Sequence, residues 1–180
     1  MVNYEPGQDR NVAALNILAM CGGFLLFMTR EEKYMLLAIK EAEKASFKDE
    51  VPIGCVIVKE DKVIARGYNQ REIKNDVTSH AEIEAIRKAN KKLNSWRLVD
   101  CEIYVTIEPC LMCMGAIYQA HFKKVIYGAS DPKGGAISSS ISFKDIKNLN
   151  HYPEIQGGVL EDKCSSIIKE YFANKRKKKL

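Results

Sequence analysis

The run Ile103-Tyr104-Val105-Thr106-Ile107-Glu108-Pro109-Cys110-Leu111-Met112-Cys113-Met114-Gly115-Ala116 decides how this chain reads. Its first five residues are β-branched or aromatic and predict a strand. Pro109 ends that strand because it has no N–H to give to a ladder. Leu111 to Ala120 then reads as a helix, so Cys110 and Cys113 lie where a strand hands over to a helix start. Unpaired N–H groups make that end positive and favour thiolate over thiol. Three residues of helix also bring the two sulfurs onto one face, about a turn apart.

About 30 residues upstream stands His80-Ala81-Glu82, at the head of a second predicted helix running from about Ser79 to Lys91 with Ile83 and Ile86 facing inward. One imidazole and two thiolates (His80, Cys110, Cys113) give zinc three protein ligands and leave a fourth position for water, the pattern of a catalytic site. Zinc lowers the pKa of such a water toward neutrality. Glu82 would be idle beside a structural metal, but as a general base and acid it can take the water proton, deliver it to a ring nitrogen and serve the departing amine. The two motifs in this order are the signature of zinc deaminases acting on nucleobases.

A lone CxxC has other readings. A redox pair explains neither His80 nor Glu82, and a four-cysteine zinc site needs a second close pair, which the chain lacks. Cys21, Cys55, Cys101 and Cys164 lie among apolar or helical residues and read as inert thiols.

Outward from these motifs, Thr29 to about Lys48 predicts a helix opened by a capping box, Thr29 with Glu32. Ile53 to Val58 and Val63 to Ala65, joined by Glu60-Asp61-Lys62, read as a hairpin. Asn69 to Val77 is a polar loop, Val125 to Tyr127 a strand, Ala129 to Pro153 a long loop with one short helical turn, and Asp162 to Lys175 a last helix. Strands alternating with helices predict an α/β fold, a sheet with helices packed on it.

At 180 residues the chain suits one domain, and 46% hydrophobic with 28% charged residues excludes global disorder. The net charge is +5, and Lys175-Arg176-Lys177-Lys178-Lys179 accounts for all of it. Such a terminal cluster suits a phosphate-rich partner, although a basic run can also be a solvated helix end. Residues 12–28 are mostly apolar, but they are broken by Asn16 and Gly22-Gly23 and lack a positive flank, so neither a membrane span nor a secretory signal is expected. Residues 1–27 are expected to be an extension outside the fold, or a start-site artefact, and 28–180 the folded domain with its basic terminal helix.

From Met28 to Lys179 the chain resembles the bacterial tRNA-specific adenosine deaminases of the cytidine-deaminase-like superfamily. The residues that carry the likeness are Val51-Pro52-Ile53-Gly54, Gly67-Tyr68-Asn69, His80-Ala81-Glu82, Thr106 to Cys113, Gly115-Ala116, Tyr127-Gly128-Ala129 and Tyr171-Phe172 with the basic end. The resemblance implies a three-layer α/β/α fold with a central five-stranded mixed sheet, a homodimer with one zinc per subunit, and a cytoplasmic enzyme. Its activity would be to convert adenosine to inosine at wobble position 34 of a tRNA anticodon stem-loop. It also implies that Asn69 binds the base, that Asp131, Asn150 and His151 meet the anticodon strand, and that Phe172, Lys175 and Arg176 contact RNA. The wobble base must be splayed out to reach such a pocket.

Two departures stand out. Asp76-Val77-Thr78-Ser79-His80 has Val77 where the family usually has proline, and Ala173 replaces a basic residue. The competing enzyme reading is a deaminase of free guanine, cytosine or a nucleoside, which shares the zinc chemistry and needs no basic tail. A non-catalytic RNA-binding scaffold, or the inactive partner of a heterodimeric deaminase, would have no use for Glu82.

Overall fold

Strand β1 (Gly54–Lys59) is apolar and buried up to Val58 and lies inside the sheet, with β2 (Lys62–Tyr68) antiparallel on one side and β3 (Cys101–Ile107) antiparallel on the other. The turn joining β1 to β2 places Glu60 and Asp61 at φ 49° and 56°, the doubly left-handed geometry that suits a tight hairpin. Strands β4 (Lys124–Ala129) and β5 (Glu154–Gln156) continue parallel to β3, giving a five-stranded mixed sheet in the order β2-β1-β3-β4-β5. The computed structural model describes residues 28–177. The extension expected at 1–27, with Cys21 in it, and Lys178 and Lys179 lie outside the described residues.

Among the described residues the α-helices are α1 (Arg30–Phe47), α2 (Arg71–Lys74), α3 (Ala81–Leu93), α4 (Leu111–Gln119) and α5 (Glu161–Lys177), and a 3-10 turn at Phe143–Asp145 is the short helical turn expected in the long loop. Alternation along the strands sorts the core into two layers. Cys55, Ile57, Ile103, Val105 and Val125 face Ala81, Ala85 and Ala89 of α3 and Met114 and Ile117 of α4. Val56, Val58, Tyr104 and Ile126 face Met35, Ala38 and Ile39 of α1 and Cys164 of α5. Both faces of the sheet are therefore covered, which is why β1, β3 and β4 are mostly apolar, with their charged residues Lys59, Glu102 and Lys124 at strand ends. The three-layer α/β/α fold implied by the resemblance is the fold observed.

Sequence and structure differ in three places. The loop from Asn69 to Val77 contains α2, one turn of helix with no buried residue, held by side chains from elsewhere. Ile83 is only half-buried; Ala81, Ala85, Ile86 and Ala89 form the inward face of α3. Strand β5, three residues long, is too short to show a period of its own. Gly67 on β2 has a packing reason: a Cβ there would overlap the Ala81 carbonyl oxygen and the Ala85 backbone. Its absence lets the first turn of α3, with its metal-ligand candidate, lie directly on the sheet.

Candidate active site

The helix starts predicted at His80, after a loop, and at Cys110, after a strand, are both present. His80 is the N-cap residue of α3 and Cys110 that of α4, each with extended backbone and neither making a side-chain cap hydrogen bond. Their side chains are thus free to turn toward each other. His80 Nδ1 lies 3.7 Å from Cys110 Sγ and 3.7 Å from Cys113 Sγ. The three donor atoms all fall within 4.8 Å of one another. A tetrahedral zinc with ordinary bond lengths would set nitrogen and sulfur about 3.6 Å apart, so the donor set fits that ion in spacing and in chemistry.

Electrostatics agree with a cation-binding site. Hydrogen bonds from the Cys113 thiol and from His80 outweigh burial at Cys110 and pull its thiol down to about 4. Cys113 is pushed up, first by the proton it gives to Cys110 and then by burial. Hydrogen bonding to Cys110 raises His80 against the opposing effect of burial. Glu82, only 4% exposed, lies beside this cluster, and burial followed by the Cys110 charge holds its carboxyl above the usual carboxylate range. A shift in that direction makes the carboxyl a better proton acceptor than an exposed glutamate.

The loop before His80 is fixed by means other than the missing proline. Asp76 Oδ1 accepts hydrogen bonds from the Thr78 amide (2.8 Å) and hydroxyl (2.7 Å), and Oδ2 accepts one from the Ser79 hydroxyl (3.0 Å). These bonds, the Thr78 hydroxyl first, bring the Asp76 carboxyl down to about 2. Val77 itself is 71% exposed and carries none of this order.

Two further carboxylates shape the site: Glu108, which lies inside the Thr106 to Cys113 stretch but has no role assigned from sequence, and Glu50, which no motif includes. Glu108, buried between Ile107 and Pro109, accepts from the backbone N–H groups of Ile137 (2.9 Å), Ser138 (2.8 Å), Ser139 (3.2 Å) and Asp131 (3.2 Å), and from the Ser139 hydroxyl. Burial would raise this carboxyl, but the Ser139 hydroxyl and the amides together hold it below its usual range. One side chain thus gathers the 131–139 loop onto the residue before Pro109-Cys110. Gly135 permits the approach, since a Cβ there would meet the Glu108 carboxylate. Glu50, fully buried, accepts from Asn69 Nδ2 (3.0 Å) and from the Ile73 amide in α2 (2.7 Å).

Of the remaining candidates, Asn69 is buried at the end of β2, one hydrogen bond from the Ser79 carbonyl through Gln70 N. Asp131 follows the C-terminal end of β4. It shares a groove of about 460 Å³ with Phe172, walled by Ile53 and Lys169. A second groove, about 710 Å³, joins Phe172 to Lys48, Ile73, Lys175 and Arg176. Lys175 is already engaged, 2.6 Å from Asp49 Oδ2, and that partner raises its ammonium pKa.

Asn150 and His151 lie elsewhere. His151 Nε2 sits 2.6 Å from the Phe122 carbonyl, and Asn150 N donates to the Tyr118 hydroxyl. Tyr118 is near the end of α4, roughly 12 Å along the helix from Cys110 at 1.5 Å per residue. Phe122 precedes β4, at the sheet end away from the cysteines. In this chain they pack the far end of the sheet, His151 against the His121 ring at 5.2 Å, while Asp131 lies at the end nearer the cysteines. The three cysteines read as inert, Cys55, Cys101 and Cys164, are buried and free.

A mixed sheet that presents one imidazole, two sulfurs and a buried carboxyl at adjoining helix starts defines a hydrolytic deaminase of the zinc type. A family model described as MafB19-like deaminase matches residues 29–176. The chain is 45% identical over 152 residues to the tRNA-specific adenosine deaminase of Bacillus subtilis (strain 168), covering 84% of this chain and 94% of that protein. A solved structure from studies of A-to-I editing by tRNA:A34 deaminases superposes with a TM-score of 0.73 at 44% identity, covering 75% of this chain and 98% of the other. A guanine deaminase from Nitrosomonas europaea, 23% identical, shares the fold with a TM-score of 0.68, covering 79% of this chain and 84% of the other. The chain belongs to the MafB19-like deaminase family and stands there with the tRNA-specific adenosine deaminases.

Proposed function

We propose that this protein converts adenosine to inosine at wobble position 34 of a tRNA, consuming water and releasing ammonia. The observation that carries the reading is the 45% identity to a tRNA-specific adenosine deaminase across 94% of its length, joined to a donor set spaced for zinc. His80, Cys110 and Cys113 would hold one zinc per subunit, which when bound supplies hydroxide near neutral pH. Glu82 accepts one proton as water attacks adenine C6 and places it on ring nitrogen N1, then takes the second from the new C6 hydroxyl and delivers it to the amine, which leaves as ammonia while the C6 carbonyl forms. Asn69 contacts the extruded base. Asp131 and Phe172 line the groove for the neighbouring nucleotides, one polar and one aromatic, as splayed single-stranded bases require.

Lys175 and Arg176 continue this surface toward the phosphates. The enzyme acts as a homodimer in the cytoplasm, with exposed Leu111 and Val77 beside the ligand segments offering apolar surface to a second copy. Among the described residues no helix is long and apolar enough to cross a membrane.

The test is incubation of purified, zinc-loaded protein with an adenosine-34 anticodon stem-loop and, separately, with free guanine, cytosine and adenosine. Inosine from the RNA alone is expected; turnover of a free base alone refutes the proposal. Glu82→Ala should keep its zinc and lose turnover by roughly a thousandfold or more. Substantial residual deamination would exclude the proton-shuttle role.

A further inference from the structure

Turn α2 does not hold its own place. Its four residues make a single turn, none of them buried, and isolated helices are marginal in water below about 12 residues. Yet Glu72 and Ile73 form a wall of the groove of about 710 Å³ that also takes in Phe172, Lys175 and Arg176. Ile73 is 54% exposed there, so polar tethers must fix the wall where apolar packing does not. Glu84 supplies them. Its side chain is only 6% exposed, and Oε2 accepts from Lys74 Nζ, on the last residue of α2, at 2.7 Å. The same oxygen lies 3.5 Å from Nε2 of Gln70, the N-cap of α2, and Oε1 faces Arg87 at 3.3 Å. Burial would raise the Glu84 carboxyl, but the Lys74 hydrogen bond and charge bring it below its usual range, so the pair stays ionised at neutral pH.

The place of Glu84 in α3 extends this tether to the reacting centre. Its amide donates to the His80 carbonyl at 3.0 Å, closing the first turn of the helix that carries His80 and Glu82. One helix start therefore holds the metal-ligand candidate, the proton carrier and, through Glu84, the groove wall. We propose that Glu84 is a positioning residue that fastens α2 to this helix through Lys74, keeping the groove wall at a fixed separation from the metal site for the RNA strand. The inference rests on the proposed action on RNA. The wall meets the strand outside the reacting centre, so loosening it weakens binding and leaves the chemical step as it was.

Two substitutions break the tether from either side. Lys74→Met removes the ammonium and keeps the length; Glu84→Gln removes the charge and keeps the shape. Each is expected to raise KM for the adenosine-34 anticodon stem-loop roughly fivefold to twentyfold, with kcat within about twofold of wild type and zinc content unchanged. The double variant is expected to match Glu84→Gln, since both changes break one contact. In Lys74→Met the log–log salt slope of RNA binding should stay that of the wild type, because Glu84 and not a phosphate engages the ammonium. Hydrogen exchange on the RNA-free protein reads the tether without turnover. The amides of Ile73, Asn75 and Asp76, bonded to Glu50, Glu72 and Arg71, should exchange roughly tenfold faster in both variants.

Wild-type KM or unchanged exchange in Lys74→Met overturns the inference. So does a loss confined to kcat, or a double variant much worse than Glu84→Gln. A salt slope lower by about one in Lys74→Met also overturns it, by making Lys74 a phosphate contact. All of these leave the RNA reading standing, because the wild type still deaminates the stem-loop. A wild type inactive on that RNA removes the reading and the inference built on it. Should Glu84→Gln not fold, Lys74→Met decides, since the Lys74 side chain is 40% exposed and its replacement leaves no void.

Discussion

Replacing Glu108 by Gln tests whether one carboxylate organises the loop beside the cysteines. The substitution keeps size and shape, but an amide offers one acceptor oxygen where the carboxylate offers two. The Ile137, Ser138 and Ser139 amides, all on Oε1, can stay with that oxygen. The Asp131 amide, on Oε2, is left facing an N–H, and the Ser139 hydroxyl must turn round to accept. An orphaned donor costs about 1–3 kcal/mol, and losing charge assistance on the remaining bonds adds about 1 kcal/mol, so roughly 3 kcal/mol is expected. For a domain of this size that is a fall of roughly 6–12 °C in Tm, read by circular dichroism on zinc-loaded protein.

The pH dependence has a definite sign. Because the folded-state pKa of Glu108 is depressed, the carboxylate stabilises the protein at neutral pH, and this contribution is lost as acid brings the pH down through the folded-state value. The wild type should therefore approach the Gln variant in stability as the pH falls below the ordinary carboxylate range. A Tm within about 1 °C of wild type at neutral pH, or a gap that widens on acidification, would refute the account of Glu108.

Three shorter predictions accompany it. Gly67→Ala pushes a methyl into the Ala81 carbonyl and should destabilise the domain by about 1–3 kcal/mol; denaturant unfolding would detect it, and an unchanged midpoint would mean that α3 has slack. Asp76→Ala releases the loop ahead of His80 and should weaken zinc binding roughly tenfold in a chelator competition, whereas the intact Asp76 lock should persist on acidification until the pH approaches about 2. Asp49→Asn frees the Lys175 ammonium for phosphate, so RNA binding should tighten and its log–log salt slope steepen by about one; an unchanged slope would place Lys175 outside the RNA contact.

The metal-ligand triplet was legible in the sequence because each half depends on a local event, a helix beginning at a ligand. Local rules predict helix starts well, and two such starts packed on one sheet bring the donors together. Glu108, Glu50 and Asp76 were not legible in that way. Glu108 acts on residues 23 to 31 positions away and Glu50 on partners 19 and 23 away, distances over which no periodic pattern connects them. The turn α2 escaped for the same reason: its own residues are exposed and its order comes from Glu50 and from Glu84, which Lys74 reaches at 2.7 Å. Charge in the terminal helix was visible as composition, but composition could not show that Asp49 already occupies Lys175. Sequence adjacency of Asn150 and His151 likewise could not show that the chain folds them away from Asp131.

The capping of α3 and α4 sets stability against activity. His80 and Cys110 occupy positions where Ser, Asp or Asn would bond the first free amides of each helix, and such caps are worth about 1 kcal/mol apiece. Selection for a sturdier fold alone would thus drive both residues toward better caps, and each step would remove a metal ligand. A variant library screened only for heat resistance should accumulate changes here and lose turnover as it does so, because the two helix starts are kept imperfect by the work they do.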